Sequence, residues 1–115
     1  MPDLDPRGQL LKGTLPLLVL GSLEDGELYG YEIAQRLETQ SGGVVTPSEG
    51  SLYPTLYRLL AEGAVTASWR TSDKGPKRRY YQITESGIKQ LADQRAAWTQ
   101  FSGAVSRLSA EPSRG

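Results

Sequence analysis

Ser48 to Val65, SEGSLYPTLYRLLAEGAV, decides the architecture, because one of its faces is apolar in helical register and the opposite face carries residues a helix rarely chooses. At about 100° per residue, Leu52, Leu56, Leu59 and Leu60 gather on one side while Gly50, Pro54, Tyr57, Arg58 and Ala61 point away. Gly50 and Pro54 stand four apart, so the hydrogen bond that proline cannot donate is the one the Gly50 carbonyl would have accepted, and both defects face outward. A helix half in a core and half against another molecule fits this pattern. Thr46-Pro47-Ser48 supplies a hydroxyl for the N-cap, and Gly63 suits the left-handed position that closes the helix after Glu62.

Working toward the N-terminus, Gly30 to Gln40 predicts a second helix with Ile33, Ala34 and Leu37 inward, stopped by Gly42-Gly43. Before it, Leu11 to Leu23 is apolar on nearly every side, which implies two different covering partners. Pro16 interrupts that segment and predicts either a kink or a helix start near Thr14. Residues 1–8, rich in proline and aspartate, are expected to be disordered.

Working toward the C-terminus, Val65, Ala67 and Trp69 alternate with Thr66, Ser68 and Arg70, and a turn at Ser72 to Pro76 leads into the alternating run Arg79 to Ile83. A β-hairpin follows, with Trp69, Tyr80 and Tyr81 read as packing residues. Thr84 caps a final helix over residues 84–108, in which Leu91, Trp98, Phe101, Val105 and Leu108 share a heptad seam with Gln94 as its polar exception. Such a helix, roughly 36 Å long, overreaches so small a body and calls for a partner helix. Residues 109–115 are expected to form a disordered tail.

Composition narrows the function. The 115 residues make one domain with a modest core, here residues 9–83 plus the terminal helix, and contain neither cysteine nor histidine. That removes thiol nucleophiles, disulfides, the usual zinc sites and the imidazole of most acid–base chemistry. No cofactor or metal is expected, and the acids Glu24, Glu27 and Glu32 have no catalytic spacing. The longest apolar run, Leu15 to Leu20, is too short for a membrane, and the first ten residues do not form a signal peptide, so a cytoplasmic protein is expected. The net charge is zero, yet Thr66 to Gln82 holds five basic residues and one acidic, a local excess of +4. That excess is either a solvated hairpin or an anion-binding patch.

Three helices and a hairpin is the order of a winged helix-turn-helix, mainly α with a small β-hairpin, followed here by a long C-terminal dimerisation helix. The motifs LYGYEI (Leu28 to Ile33), GSLYPTLYRL (Gly50 to Leu59), EGAV (Glu62 to Val65) and RRYYQIT (Arg79 to Thr84) resemble those of the PadR family of bacterial transcriptional regulators. The single helix after them is similar to the short-tailed subfamily, which includes multidrug-responsive repressors. The resemblance implies a homodimeric repressor whose third helices read two half-sites of a near-palindromic DNA operator while the wings grip phosphates.

On the residues themselves, Tyr57 and Arg58 face outward, Tyr53 flanks them, and Gly50, Pro54, Ser48 and Ser51 lie toward a helix N-terminus suited to phosphate. Lys74, Gly75, Pro76, Lys77 and Arg78 form the wing tip, and by family analogy Gly30 and Tyr31 add backbone contacts. Tyr53 either reaches DNA or closes the core edge, and Arg58 either enters the groove or pairs with Glu62. Dimer contacts are expected from Leu15, Leu18, Leu91, Trp98, Phe101, Val105 and Leu108. Trp98 is either packed core or, with Leu18 and Phe101, the wall of a slot for a flat aromatic effector. The rival function is a winged helix that binds protein without specific DNA recognition, which salt dependence separates from a DNA-binding regulator.

Overall fold

A computed structural model describes residues 6–71 and 75–112. The elements are α1 (Pro6–Ser22), β1 (Leu28–Tyr29), α2 (Gly30–Gln40), α3 (Glu49–Ala61), β2 (Val65–Thr71), β3 (Lys77–Ile83) and α4 (Glu85–Ser109). Pro6 opens α1, a position proline suits because a first-turn N–H has no intrahelical acceptor. The helix therefore includes Arg7 and Gly8, earlier than the sequence suggested, and it runs through Pro16 rather than starting near Thr14. Just before the proline, the Thr14 hydroxyl donates to the Leu10 carbonyl at 2.8 Å.

The sheet is three-stranded, ordered β1-β3-β2 and antiparallel throughout. The expected hairpin is β2 and β3; β1 adds Leu28 opposite Tyr81 and Tyr29 opposite Tyr80. Where β1 meets α2, the Tyr29 N–H donates to Glu32 Oε1 at 3.2 Å, so Glu32 closes the start of α2.

The core sits between the three helices, the base of the sheet and the first turns of α4. Leu15, Val19, Leu20 and Leu23 come from α1 and its end, Ile33 and Leu37 from α2, Leu52, Leu56 and Leu59 from α3, and Val65, Tyr81 and Leu91 complete it. Leu15 and Leu91, expected on a dimer seam, are buried in this chain's own core and have no surface left for a partner. Trp69, expected in the core, is 63% exposed. It lies on the same sheet face as Val65 and Ala67, but the helices beneath that face end before the strand does.

Thr84 caps α4 as the sequence indicated, its Oγ1 accepting from the Gly87 N–H at 3.0 Å. Beyond Arg95 the helix leaves the body. The radius of gyration, 16.5 Å, exceeds the roughly 13 Å of a compact chain of this length, and the long axis reaches 65 Å. Along the projecting part, Trp98, Phe101, Val105 and Leu108 are all exposed. Arg95 grips Glu24 with two hydrogen bonds of 2.9 and 2.6 Å, tying α4 to the end of α1. The Arg95 hydrogen bond holds the Glu24 carboxyl below the usual carboxylate range.

Candidate nucleic-acid interface

Helix α3 presents the face the sequence assigned to it: Gly50, Pro54, Tyr57, Arg58 and Ala61 are exposed, while Leu52, Leu56 and Leu59 are buried. Pro54 lies inside the helix, beside the smooth surface Gly50 leaves. Of the two alternatives left open for Arg58, the pairing with Glu62 is present, and the side chain remains exposed. Its Nε reaches Glu62 at 3.3 Å, yet its side chain is 65% exposed, and an exposed i,i+4 pair contributes only about 0.3–0.5 kcal/mol. That is too weak to hold the guanidinium against a phosphate or a base edge.

Ser48 occupies the N-cap of α3, but its hydroxyl does not cap. It shares a 3.1 Å hydrogen bond with the Ser51 hydroxyl instead. The Ser51 N–H donates to the Ser48 carbonyl at 3.2 Å, which leaves the Glu49 and Gly50 N–H groups of the first turn for an anion, with the two hydroxyls close by.

Tyr53 is half-buried against the core, and its ring lies over the start of α2. A Cβ at Gly30 would come within 2.7 Å of Tyr53 Oη. Gly30 is therefore buried beneath Tyr53, at the edge of the cleft between α3 and the wing. Tyr31 is 64% exposed and stacks on Tyr29 at 6.5 Å, so α2 does present an aromatic edge.

In the wing, Pro76 and Lys77 are exposed and Gly75 half-buried; Lys74 lies outside the described residues. The strands sort the arginines by face. Arg70 pairs with Glu27 and lies 5.1 Å from the Tyr80 ring. Arg78, on the same side, sits 4.6 Å over Tyr29, and Tyr29 meets Tyr80 edge-on at 5.5 Å. These cation–π contacts hold the wing against β1. Arg79 turns to the other side, toward α3, a placement the sequence reading missed. Its only sequence signal was the RRYY run, whose alternation puts one arginine on each face. Burial pushes the neighbouring Tyr81 phenol up, and the charge and hydrogen bond of Arg79 oppose that shift.

One end of the molecule therefore carries an outward helix face with a proline and a glycine, a free helix N-terminus and a basic, ring-braced wing. Residues 19–93 of the chain match the transcriptional regulator PadR-like family. The chain is a member of that family. It is 34% identical over 94 residues to a transcriptional regulator of Mycobacterium tuberculosis, covering 82% of this chain and 84% of that one. It is 35% identical over 82 residues to the negative transcriptional regulator PadR of Bacillus subtilis, of whose length it spans 44%. Among solved structures, it matches a PadR-like regulator from Bacillus cereus with a TM-score of 0.76 and 36% identity, over 90% of this chain and 99% of that chain. A transcriptional regulator from Clostridium thermocellum matches with a TM-score of 0.81 and 25% identity, over 88% and 98%.

As a PadR-family protein the chain is a DNA-binding transcriptional regulator and not an enzyme. The carboxylates of Glu24, Glu27 and Glu32 hold Arg95, Arg70 and the Tyr29 N–H. No helix among the described residues is long and apolar enough to cross a membrane.

Proposed function

We propose that this PadR-family regulator acts in the cytoplasm as a homodimeric repressor, its two α3 helices reading the half-sites of a near-palindromic operator, and that a planar aromatic compound near Trp98 releases it. The observation that carries this reading is the exposed apolar row Trp98, Phe101, Val105 and Leu108 on a helix that projects beyond the body. Pairing that row with a second copy fixes the distance between two recognition helices. In this reading Ser48, Ser51, Pro54, Tyr57, Arg58 and the wing residues Lys77 and Arg78 make the DNA contacts.

An open depression of about 1410 Å³ lies beside α1, with Leu18, Arg95 and Trp98 among its lining residues. It is too open to enclose a small molecule in one protomer; the partner would supply the missing wall. Phe101 is not among its lining residues and stands farther along α4. Because the spacing of the α3 helices follows the seating of α4, a ligand at Trp98 disfavours the DNA-competent spacing. A coupling of about 1–3 kcal/mol corresponds to a several-fold to 150-fold loss of operator affinity.

Fluorescence anisotropy with DNA from immediately upstream of the gene, across a salt series, tests the repressor reading. Preference over scrambled DNA by about 10³-fold or more, with log affinity falling at about 0.9 per phosphate neutralised, is the expected result. Weak binding indifferent to sequence would refute it for that operator. The effector reading is tested by quenching in a Trp69→Phe background, which leaves Trp98 as the sole tryptophan, and by operator affinity measured on the wild-type protein. Saturable quenching by a planar aromatic compound, together with loss of operator affinity, supports it; unchanged operator affinity at saturation removes it.

A further inference from the structure

The cleft between α3 and the wing contains an arginine, Arg79, that pairs with no carboxylate among the described residues. The register places Trp69 opposite Arg79 and Ala67 opposite Tyr81, so Trp69, Arg79 and Tyr81 share the sheet face turned toward α3. Arg79 lies 6.0 Å from the Trp69 ring and 5.8 Å from the Tyr81 ring. With Tyr53, Tyr57 and Lys77 they line a cleft of about 290 Å³. Arg79 Nε is covered and has no hydrogen-bond partner. Arg58, Arg70 and Arg95 each hold a glutamate; among the described residues no carboxylate is paired with Arg79. The Tyr81 hydroxyl is hydrogen-bonded to Arg79, but a neutral phenol does not balance the charge, so a partly desolvated guanidinium with an unpartnered Nε gains from an anion that arrives from outside.

Geometry names the anion. When a recognition helix lies in the major groove and the wing reaches the adjoining minor groove, the wall between those grooves is one sugar-phosphate strand. That strand must pass between helix and wing, which here is the Arg79 cleft. We infer that Arg79 is the phosphate anchor of the wing, with Trp69 as the flat surface against the adjacent deoxyribose and the Tyr57 hydroxyl as a second donor to the strand. The aromatic cradle pre-positions the guanidinium, so little rotamer entropy is lost when the phosphate docks. The contact fixes register on the duplex and is blind to base sequence.

This inference rests on the DNA-binding reading of α3 and the wing, and the test separates the two. Wild type and Arg79→Gln, both full length, are titrated with the same operator and with scrambled DNA across a salt series. The expected result is that Arg79→Gln weakens both by a similar factor, about ten-fold or more at low salt, leaves the preference unchanged, and reduces the salt slope by about 0.9 per protomer. Arg79→Lys, which keeps the charge but not the planar stacking, is expected to retain the slope and recover only part of the affinity. An operator with a neutral methylphosphonate at the contacted position is expected to weaken wild type and not Arg79→Gln. If the glutamine variant does not fold, the lysine variant and the methylphosphonate series on wild type still read the contact: no single flanking position whose neutralisation costs wild type more than the lysine variant overturns the inference. An unchanged salt slope in a folded Arg79→Gln variant overturns it too, leaving Arg79 as a structural brace of the wing. Wild type that binds without salt dependence would overturn the DNA-binding reading itself.

Discussion

Replacing Gly87 with alanine is expected to lower the melting temperature by about 10 °C, which corresponds to about 3 kcal/mol of overpacking in a chain of this size. The added Cβ would stand 2.0 Å from the Ala64 carbonyl oxygen and 2.8 Å from Ile83 Cγ1. The carbonyl has no room to retreat. The Ala64 carbonyl accepts the Thr84 N–H at 3.0 Å, and the Thr84 hydroxyl lies 3.0 Å from it while accepting from the Gly87 N–H. Moving any one of these groups breaks the cap of α4 and its seam with the sheet together. Two further glycines calibrate the result. At Gly30 the clash is with the hydroxyl end of the Tyr53 ring, which can swing away, so a smaller loss is expected. At Gly13, in a helix with nothing within 4 Å, alanine is expected to be neutral or stabilising by up to about 1 kcal/mol. Thermal unfolding by circular dichroism ranks the three; a Gly87→Ala melting point equal to wild type would show that α4 is not anchored at this junction.

The same junction governs function, because it sets the direction in which α4 leaves the body. Thr84, Gly87 and the Arg95–Glu24 pair fix the helix at its base, and the apolar row from Trp98 onward follows from that direction. In the proposed function, the DNA-binding surface and the α4 dimer seam would be opposite ends of one path through this junction, which is what transmission from a ligand at Trp98 to the α3 spacing would require.

What the sequence revealed were features whose physics is local. Gly42, Gly43 and Gly63 adopt φ of 64°, 84° and 75°, the left-handed region that glycine enters without a Cβ clash, and so the ends of α2 and α3 were readable to within a residue. The outward face of α3 followed from helical periodicity alone. What escaped depended on distant parts of the chain. Strand β1 is two residues long, too short for any alternation, and is defined by Tyr80 and Tyr81, some fifty residues later. Alternation assigned Trp69 to the correct sheet face but said nothing about how far the core extends beneath it. The heptad through Leu91 marked an apolar stripe without indicating which part the chain covers by itself. Arg79 was counted as charge, while its distinction from Arg78 rests on which face each occupies and on the rings that Trp69 and Tyr29 bring to them.

A Phe101→Glu variant is expected to run as a monomer of 12.5 kDa and to lose about 100-fold or more in operator affinity, because joining two half-site readers raises affinity by about 10²–10⁴ without any new contact. Phe101 is 66% exposed, so its replacement removes little from the fold of the single chain. In a twofold dimer the same patch is used by both copies, and each interface would receive two carboxylates with no counter-charge at that position, on a row otherwise made of Trp98, Val105 and Leu108. Desolvating those charges opposes association more strongly than the lost ring contact alone. Gln100→Glu adds the same charge one residue away and off the seam, and is expected to remain dimeric with near-normal affinity. Light scattering after size exclusion gives the mass, and circular dichroism checks that the winged domain still melts cooperatively. The mechanism predicts a further difference: monomeric Phe101→Glu should keep the weak, salt-sensitive binding of one α3 and one wing, with roughly half the wild-type salt slope. A Phe101→Glu protein that stays dimeric and holds the operator as wild type does would move the dimer interface off α4, and with it the proposed route from Trp98 to the operator.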